Sequence, residues 1–155
     1  KERSLNDENY QEKIEASFEN DLGKYEDTPK NKPRKTLSNI KSYSRDRIVG
    51  RNAIITAKFL CEVDSNHKDF ISKVTGENYV EAHHLIPIEF QENFEVSIDV
   101  EANVVSLCVT CHKKLHHATF NEKQKTLGHL FEQRKKRLEL CGIFLSEEIL
   151  YNFYR

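Results

Sequence analysis

Glu81-Ala82-His83-His84-Leu85-Ile86-Pro87 sets two adjacent histidines at the end of an apolar, alternating segment. Downstream lie Asn103 and then Leu107-Cys108-Val109-Thr110-Cys111-His112, followed by His116 and His117. Five of the seven histidines fall between residues 81 and 117, interleaved with Cys108 and Cys111. His112 and His116, four residues apart on a predicted helix, share one face and can reach one metal ion. Adjacent histidines at a strand end can point in different directions, so one can ligate while the other acts as a base. Folding alone calls for no such concentration of imidazoles; hydrolysis at a metal does.

Outward from this window the pattern alternates between short strands and helices. Apolar alternation around Phe70–Val74 and Tyr79–Ala82, flanking Thr75-Gly76-Glu77-Asn78, predicts a β-hairpin. Residues 87–100, with Pro87, read as a loop, and 103–107 as a short buried strand. Helical character resumes near Cys111 and runs to about Ala118. Leu127, Leu130, Phe131 and Leu138 give a helix over 122–140 its apolar face, with Gly142 as its terminator. Ser146, followed by Glu147 and Glu148, opens a last short helix. Toward the N-terminus, Tyr10, Ile14, Phe18 and Leu22 recur every four residues and predict a helix over 7–22, capped by Asn6 or Asp7. Its acidic remainder argues against contact with DNA and for packing on a neighbour or a second copy of the chain. Gly23, Pro29 and Pro33 mark residues 23–43 as a linker. Ser44 is a candidate cap for a helix from about 45 to 60, with Ile48, Ile55 and Phe59 inward.

The apolar fraction of 37% and charged fraction of 32% predict a modest core that a structural metal would help hold together. Four cysteines, two of them in a C-x-x-C, fit metal binding in a reducing compartment better than disulfides. Neither a long apolar run nor a signal-peptide pattern is visible, so the expectation is a cytoplasmic chain with no membrane partner. The chain begins at Lys1 and lacks methionine, which predicts a fragment or a processed product, with a missing upstream region as a candidate carrier of specificity. Tetrahedral zinc needs two ligands beyond Cys108 and Cys111. Cys61 is the third candidate, and the fourth is His67, six residues later, or Asp64. The alternative is an empty site with Cys61 merely buried. Cys141 reads as an ordinary buried thiol, His129 as structural or exposed, and His117 as a bystander or phosphate contact.

The net charge of −1 hides a strong asymmetry. Residues 1–27 carry 4 basic and 9 acidic groups, residues 28–58 carry 9 and 1, and residues 59–155 carry 11 and 15. Lys30, Lys32, Arg34, Lys35, Arg45, Arg47 and Arg51, together with Lys41, make the middle block the candidate for DNA phosphate contacts.

Taken as an ordered set, Glu81-x-His83-His84-x-x-Pro87, Asn103 and Leu107-Cys108-x-x-Cys111-His112-x-x-x-His116 resembles the HNH nuclease signature. The resemblance covers about residues 58–120, and its nearest flavour is the zinc-stapled HNH domain of restriction endonucleases. It implies an α+β fold, with a small ββα-metal core, flanking helices and a structural zinc site. On that reading residues 1–43 are an N-terminal helix and basic linker. Residues 44–155 are the nuclease domain, with C-terminal helices at 122–155. The resemblance implies that His84 is the general base, and that His83, His112 and His116 hold the catalytic metal. Asn103 would tie the loop together and orient His84, and Glu81 would orient a ligand, a water or an arginine. It further implies DNA cleavage to 5′-phosphate and 3′-hydroxyl ends in a restriction or host-defence setting. Magnesium, manganese, nickel or zinc would serve at the catalytic site, beside a structural zinc on Cys61, His67, Cys108 and Cys111. Relatives often carry a second C-x-x-C where this chain has Cys61-Glu62-Val63-Asp64. Double-strand cleavage would need two copies, with the Tyr10/Ile14/Phe18/Leu22 helix as the candidate dimer element. The competing expectation is a non-catalytic, zinc-stapled nucleic-acid-binding module, which leaves His83, His84, His112 and His116 unexplained. A cross-brace protein-interaction domain ranks last, because too few Cys and His pairs are suitably spaced.

Overall fold

The computed structural model describes residues 2–18, 24–33 and 43–155, with side chains from Asp7 onward. Its architecture is mixed α+β. Helices α1 (Glu2–Ala16) and α2 (Arg47–Thr56) precede strands β1 (Glu81–His84) and β2 (Val104–Leu107), and α3 (Val109–His117), α4 (Phe120–Leu140) and α5 (Glu147–Asn152) follow. The two strands are antiparallel, Glu81 lying opposite Leu107 and His84 opposite Val104. Because side chains alternate along a strand, this small sheet forms a wall between two cores. Val105 and Leu107 face the larger core with α4 and α5, whereas Ala82 and Val104 join Tyr10, Ile14, Ala53 and Ile54. The same alternation sends His83 and His84 to opposite sides.

The predicted 70–82 hairpin is reduced to one antiparallel bridge, Ile71 opposite Asn78. Residues 70–79 close a turn through Tyr79 N–H to Phe70 O (2.7 Å) and Ser72 N–H to Glu77 O (2.8 Å), but β1 takes β2 as its partner. Phe70 and Ile71 are more than half exposed, so no core rewards a strand there, whereas all of β2 is buried. The Ser72 hydroxyl also accepts from Val74 N–H, a local bond that competes with a ladder.

Three other boundaries move. Helix α1 runs Glu2–Ala16 rather than 7–22, while the proposed Asn6 cap and Leu22 lie outside the described side chains. Asp46, not Ser44, caps α2 by accepting from Ile48 N–H. That helix stops at Thr56 because Lys58 and Phe59 take positive φ of 55° and 57°. The loop 87–100 contains a 3₁₀ segment over Ile88–Asn93, and a second one-turn 3₁₀ segment over Glu101–Asn103 replaces the expected start of β2. Ser146 does cap α5, accepting from Ile149 N–H at 3.2 Å, and Gly142 sits at φ 77° after α4.

Helix α1 packs on α2 and β1 of its own chain. Gly50 allows the close approach: a Cβ there would run into the Ile14 side chain and stand 2.7 Å from the Tyr10 hydroxyl. This explains a glycine in mid-helix, where alanine would favour the isolated helix by about 1 kcal/mol. Among the described residues, no helix is long and apolar enough to cross a membrane.

Candidate metal centres

Helix α3 presents His112 and His116 one turn apart, their Nε2 atoms 3.1 Å from each other. His83 reaches the same point from β1, and Asp7 from α1. One ligand atom from each of these four residues lies within 4.8 Å of all the others. The far side of each ring accounts for its protonation. The Tyr154 hydroxyl donates to Leu85 O (2.6 Å), so it accepts from His83 Nε2–H at 2.8 Å. That leaves the lone pair of His83 Nδ1 buried and without a hydrogen-bond partner. An orphaned imidazole nitrogen beside two others and a carboxylate is a donor set that fits a metal ion. His112 Nδ1–H donates to Glu81 Oε1 (2.9 Å), and Glu81 Oε2 accepts from the Tyr79 hydroxyl (2.8 Å). Glu81 therefore orients a metal-ligand candidate, the first of the roles expected of it.

The surroundings shift these groups in different directions. Burial, followed by the neighbouring His112 and His116, pushes His83 well below the ordinary imidazole range and keeps it neutral. Burial would raise Asp7, but hydrogen bonds from His112, His116 and Arg45 hold it far below the usual carboxylate range. Glu81 is lowered in the same way, its burial outweighed by His112. His112 is raised, because Asp7 and Glu81 overcome the effect of its burial.

Asp7 was missed as a site residue and read only as a helix cap. No metal-ligand spacing connects it to residues more than seventy positions away. One signal was present: Asp7, Tyr10, Gln11 and Ile14 lie at i, i+3, i+4 and i+7, which puts the carboxylate on the buried face of α1. Its Oδ2 lies 2.6 Å from His116 Nε2 and 3.3 Å from His112 Nε2, and Arg45 pairs with its other oxygen.

His84 stands apart from this group. Its Nε2–H donates to Asp99 Oδ1 at 2.8 Å, leaving Nδ1 buried with an unused lone pair. Asp99, which no sequence motif marks, therefore does the orienting expected of Asn103. Asn103 instead ties the loop: Oδ1 accepts from Ile86 N–H (2.8 Å), while Nδ2 donates to Ile86 O (3.0 Å) and Ile98 O (2.8 Å). It fixes the chain just after His84 and just before Asp99. Asn103→Ala is expected to strand these three buried backbone groups and lower the unfolding free energy by about 2–5 kcal/mol, read from urea denaturation.

Compared with known proteins, the chain matches no family model and no curated protein.

The second centre gathers Cys61, His67, Cys108 and Cys111. His67 Nδ1 lies 4.0, 3.8 and 3.4 Å from the three sulfurs in that order. A tetrahedron with bonds of about 2.3 Å to sulfur and about 2.0 Å to nitrogen has edges of about 3.5 Å, so the group could hold a structural zinc. Asp64 stands behind the ring, 3.6 Å from His67 Nε2, and is not one of the group. Burial and the adjacent sulfurs push the Cys111 thiol far up, a crowding that a cation would relieve. Cys108 also caps α3, its sulfur accepting from Cys111 N–H. Cys141 is a buried thiol raised to about 11 by its burial, and His129 bonds Gln133 on the same helix.

The basic block divides. Arg47 and Lys30 are exposed, and Lys32 pairs with Glu92 at 3.0 Å. Arg45 turns inward onto Asp7 and the Tyr10 ring. Arg51 does not fit a phosphate-contact role: it is 2% exposed and its guanidinium donates to Ser17 O beneath the end of α1. Arg34, Lys35 and Lys41 lie outside the described residues.

Proposed function

We propose that this chain is a metal-dependent HNH endonuclease of ββα-metal architecture that hydrolyses DNA phosphodiester bonds. The carrying observation is a division of labour between neighbouring histidines. His83 offers an orphaned Nδ1 to a three-imidazole, one-carboxylate cluster, while His84 offers an orphaned Nδ1 outside it. Strand alternation produces that division, and the β1–β2–α3 order supplies the remaining ligands in the sequence the resemblance implies.

A divalent cation bound by His83, His112 and His116 would neutralise charge at phosphorus and on the departing 3′-oxygen. The protein's own groups do the rest. His84 Nδ1 takes the proton of the attacking water, and Asp99 holds the ring in the required tautomer and stabilises the imidazolium that forms. Glu81 and Tyr154 lock the rings of His112 and His83, and Asn103 keeps His84 and Asp99 in register. The Cys61/His67/Cys108/Cys111 centre, as a zinc staple, would fix the start of α3 against the chain leading into β1. Cleavage to 5′-phosphate and 3′-hydroxyl ends, a host-defence role and action as a pair of copies follow from the resemblance.

The test is nicking of supercoiled plasmid across magnesium, manganese, nickel and zinc, with end-labelling of the products. Metal-dependent nicking that leaves 5′-phosphate is expected, together with loss of one metal equivalent in His112→Ala/His116→Ala. Unchanged metal content in that double variant would remove the basis of the assignment. The second reading, a non-catalytic zinc-stapled nucleic-acid-binding module, has one observation in its favour: His83, His84 and His112 are each at most 6% exposed. A single tight zinc per chain, with no second exchangeable metal, would select it.

A further inference from the structure

The burial of this centre has an identifiable agent, helix α1. Asp7 makes the contacts that an incoming phosphate would make: two imidazole nitrogens and an arginine around one anion. Three residues further on, the Tyr10 ring lies 5.6 Å from the His84 ring, while its hydroxyl donates to Asp46 O. Gln11 then bonds the strand edge itself, Nε2 to Val80 O (3.1 Å) and Oε1 from Ala82 N–H (3.0 Å). With α1 in place, a phosphodiester on a polymer has no approach to either orphaned nitrogen, since both are sealed from solvent.

We propose that α1 is an inhibitory strap: Asp7 is the fourth ligand of the His83/His112/His116 metal, held where the substrate phosphate must bind, and Tyr10 covers His84. The inhibitory part rests on the nuclease reading; the ligation by Asp7 does not. A free helix of its length is marginal in water, so α1 stays seated only through its contacts: Asp7, Tyr10 and Gln11 toward the site, and Ile14 in the core with Ala53 and Ile54. Arg45 faces Asp7 inside the site, so a phosphate entering there competes with Asp7 both for this guanidinium and for the metal. Substrate therefore displaces the strap.

Two measurements separate the parts. The first uses metal alone: hydrogen exchange of residues 7–17 in the zinc-stapled chain, with and without Mn²⁺, an ion that thiolate sites accept poorly. Mn²⁺ is expected to slow exchange there at least tenfold in the parent and to have no effect in Asp7→Ala. Equal protection in both would overturn the ligand assignment. The second uses Gly50→Leu, whose side chain cannot coexist with seated Ile14 and Tyr10 while leucine remains a good helix former. Fast exchange of α1 and plasmid nicking at least tenfold above the parent are expected, with Tyr10→Ala as the substitute if Gly50→Leu fails to fold. A freed α1 with nicking no faster than an active parent would refute inhibition. If neither parent nor freed variant nicks, the nuclease reading fails and the inhibitory claim with it. The Mn²⁺ result would still decide the role of Asp7.

Discussion

His84→Ala is expected to keep the metal content of the parent and to nick plasmid about 10²–10⁴-fold more slowly, the usual contribution of a positioned general base. The expectation follows from the protons. Asp99 is an acceptor only, so the Nε2 of His84 carries the hydrogen and Nδ1 the lone pair, and among the described residues no group bonds to that lone pair. The ring packs in the α1–α2 core rather than with His83, so its loss leaves the ligand set intact. Asp99→Asn is expected to give an intermediate loss, because an amide can hold the ring in either tautomer and cannot stabilise the imidazolium. Both variants are best compared on the Gly50→Leu background, where access is not limiting, under single-turnover conditions. Full nicking by His84→Ala at unchanged metal content would remove His84 as the base.

How much of this was legible in the sequence depends on the distance over which the physics acts. His112 and His116 on one helix face follow from helical periodicity, and the Cys108/Cys111 knuckle from the short reach of a turn. The opposite directions of His83 and His84 follow from strand alternation. Ser146 as a cap and Gly142 as a terminator are likewise local facts. What could not be read is long-range partnership. The alternation around residues 70–82 is genuine, but a strand pairs with whichever neighbour shares its core, and β1 shares its core with β2. Asp99 and Asn103 are both near His84 in space. Only the fold reveals that the aspartate touches the ring while the asparagine touches the backbone on either side. Arg51 looked like its basic neighbours until α1 lay over it, and Asp7 looked like a cap until the buried face of α1 met α3. Charge counts locate a basic block, but they do not distinguish a guanidinium facing solvent from one bonded to a buried carbonyl.

Loss of the cysteine-rich centre is expected to affect the fold rather than the chemistry alone. Structural zinc sites of this donor class contribute apparent binding free energies of about 10–16 kcal/mol, comparable to the whole stability of an ordinary domain. Cys61 lies between α2 and the exposed turn, and Cys108 and Cys111 open the helix that carries His112 and His116. Cys111→Ser should therefore lose one zinc equivalent and several kcal/mol of unfolding free energy. It should also lose metal at the histidine centre, because α3 is no longer anchored at its start. The reverse does not hold: His112→Ala should leave the thiolate-bound zinc in place. His67→Ala should fall between these, since its ring is partly exposed and a water can take its position, while Asp64→Asn should change zinc content little, Asp64 standing outside the donor set. Acid acts in the same direction as Cys111→Ser. Proton and zinc compete for each sulfur, and burial already raises the Cys108 and Cys111 thiols, so zinc is released and stability falls as pH decreases. Elemental analysis and urea denaturation of the four variants check this order, and a Cys111→Ser protein with full zinc content and parental stability would overturn it.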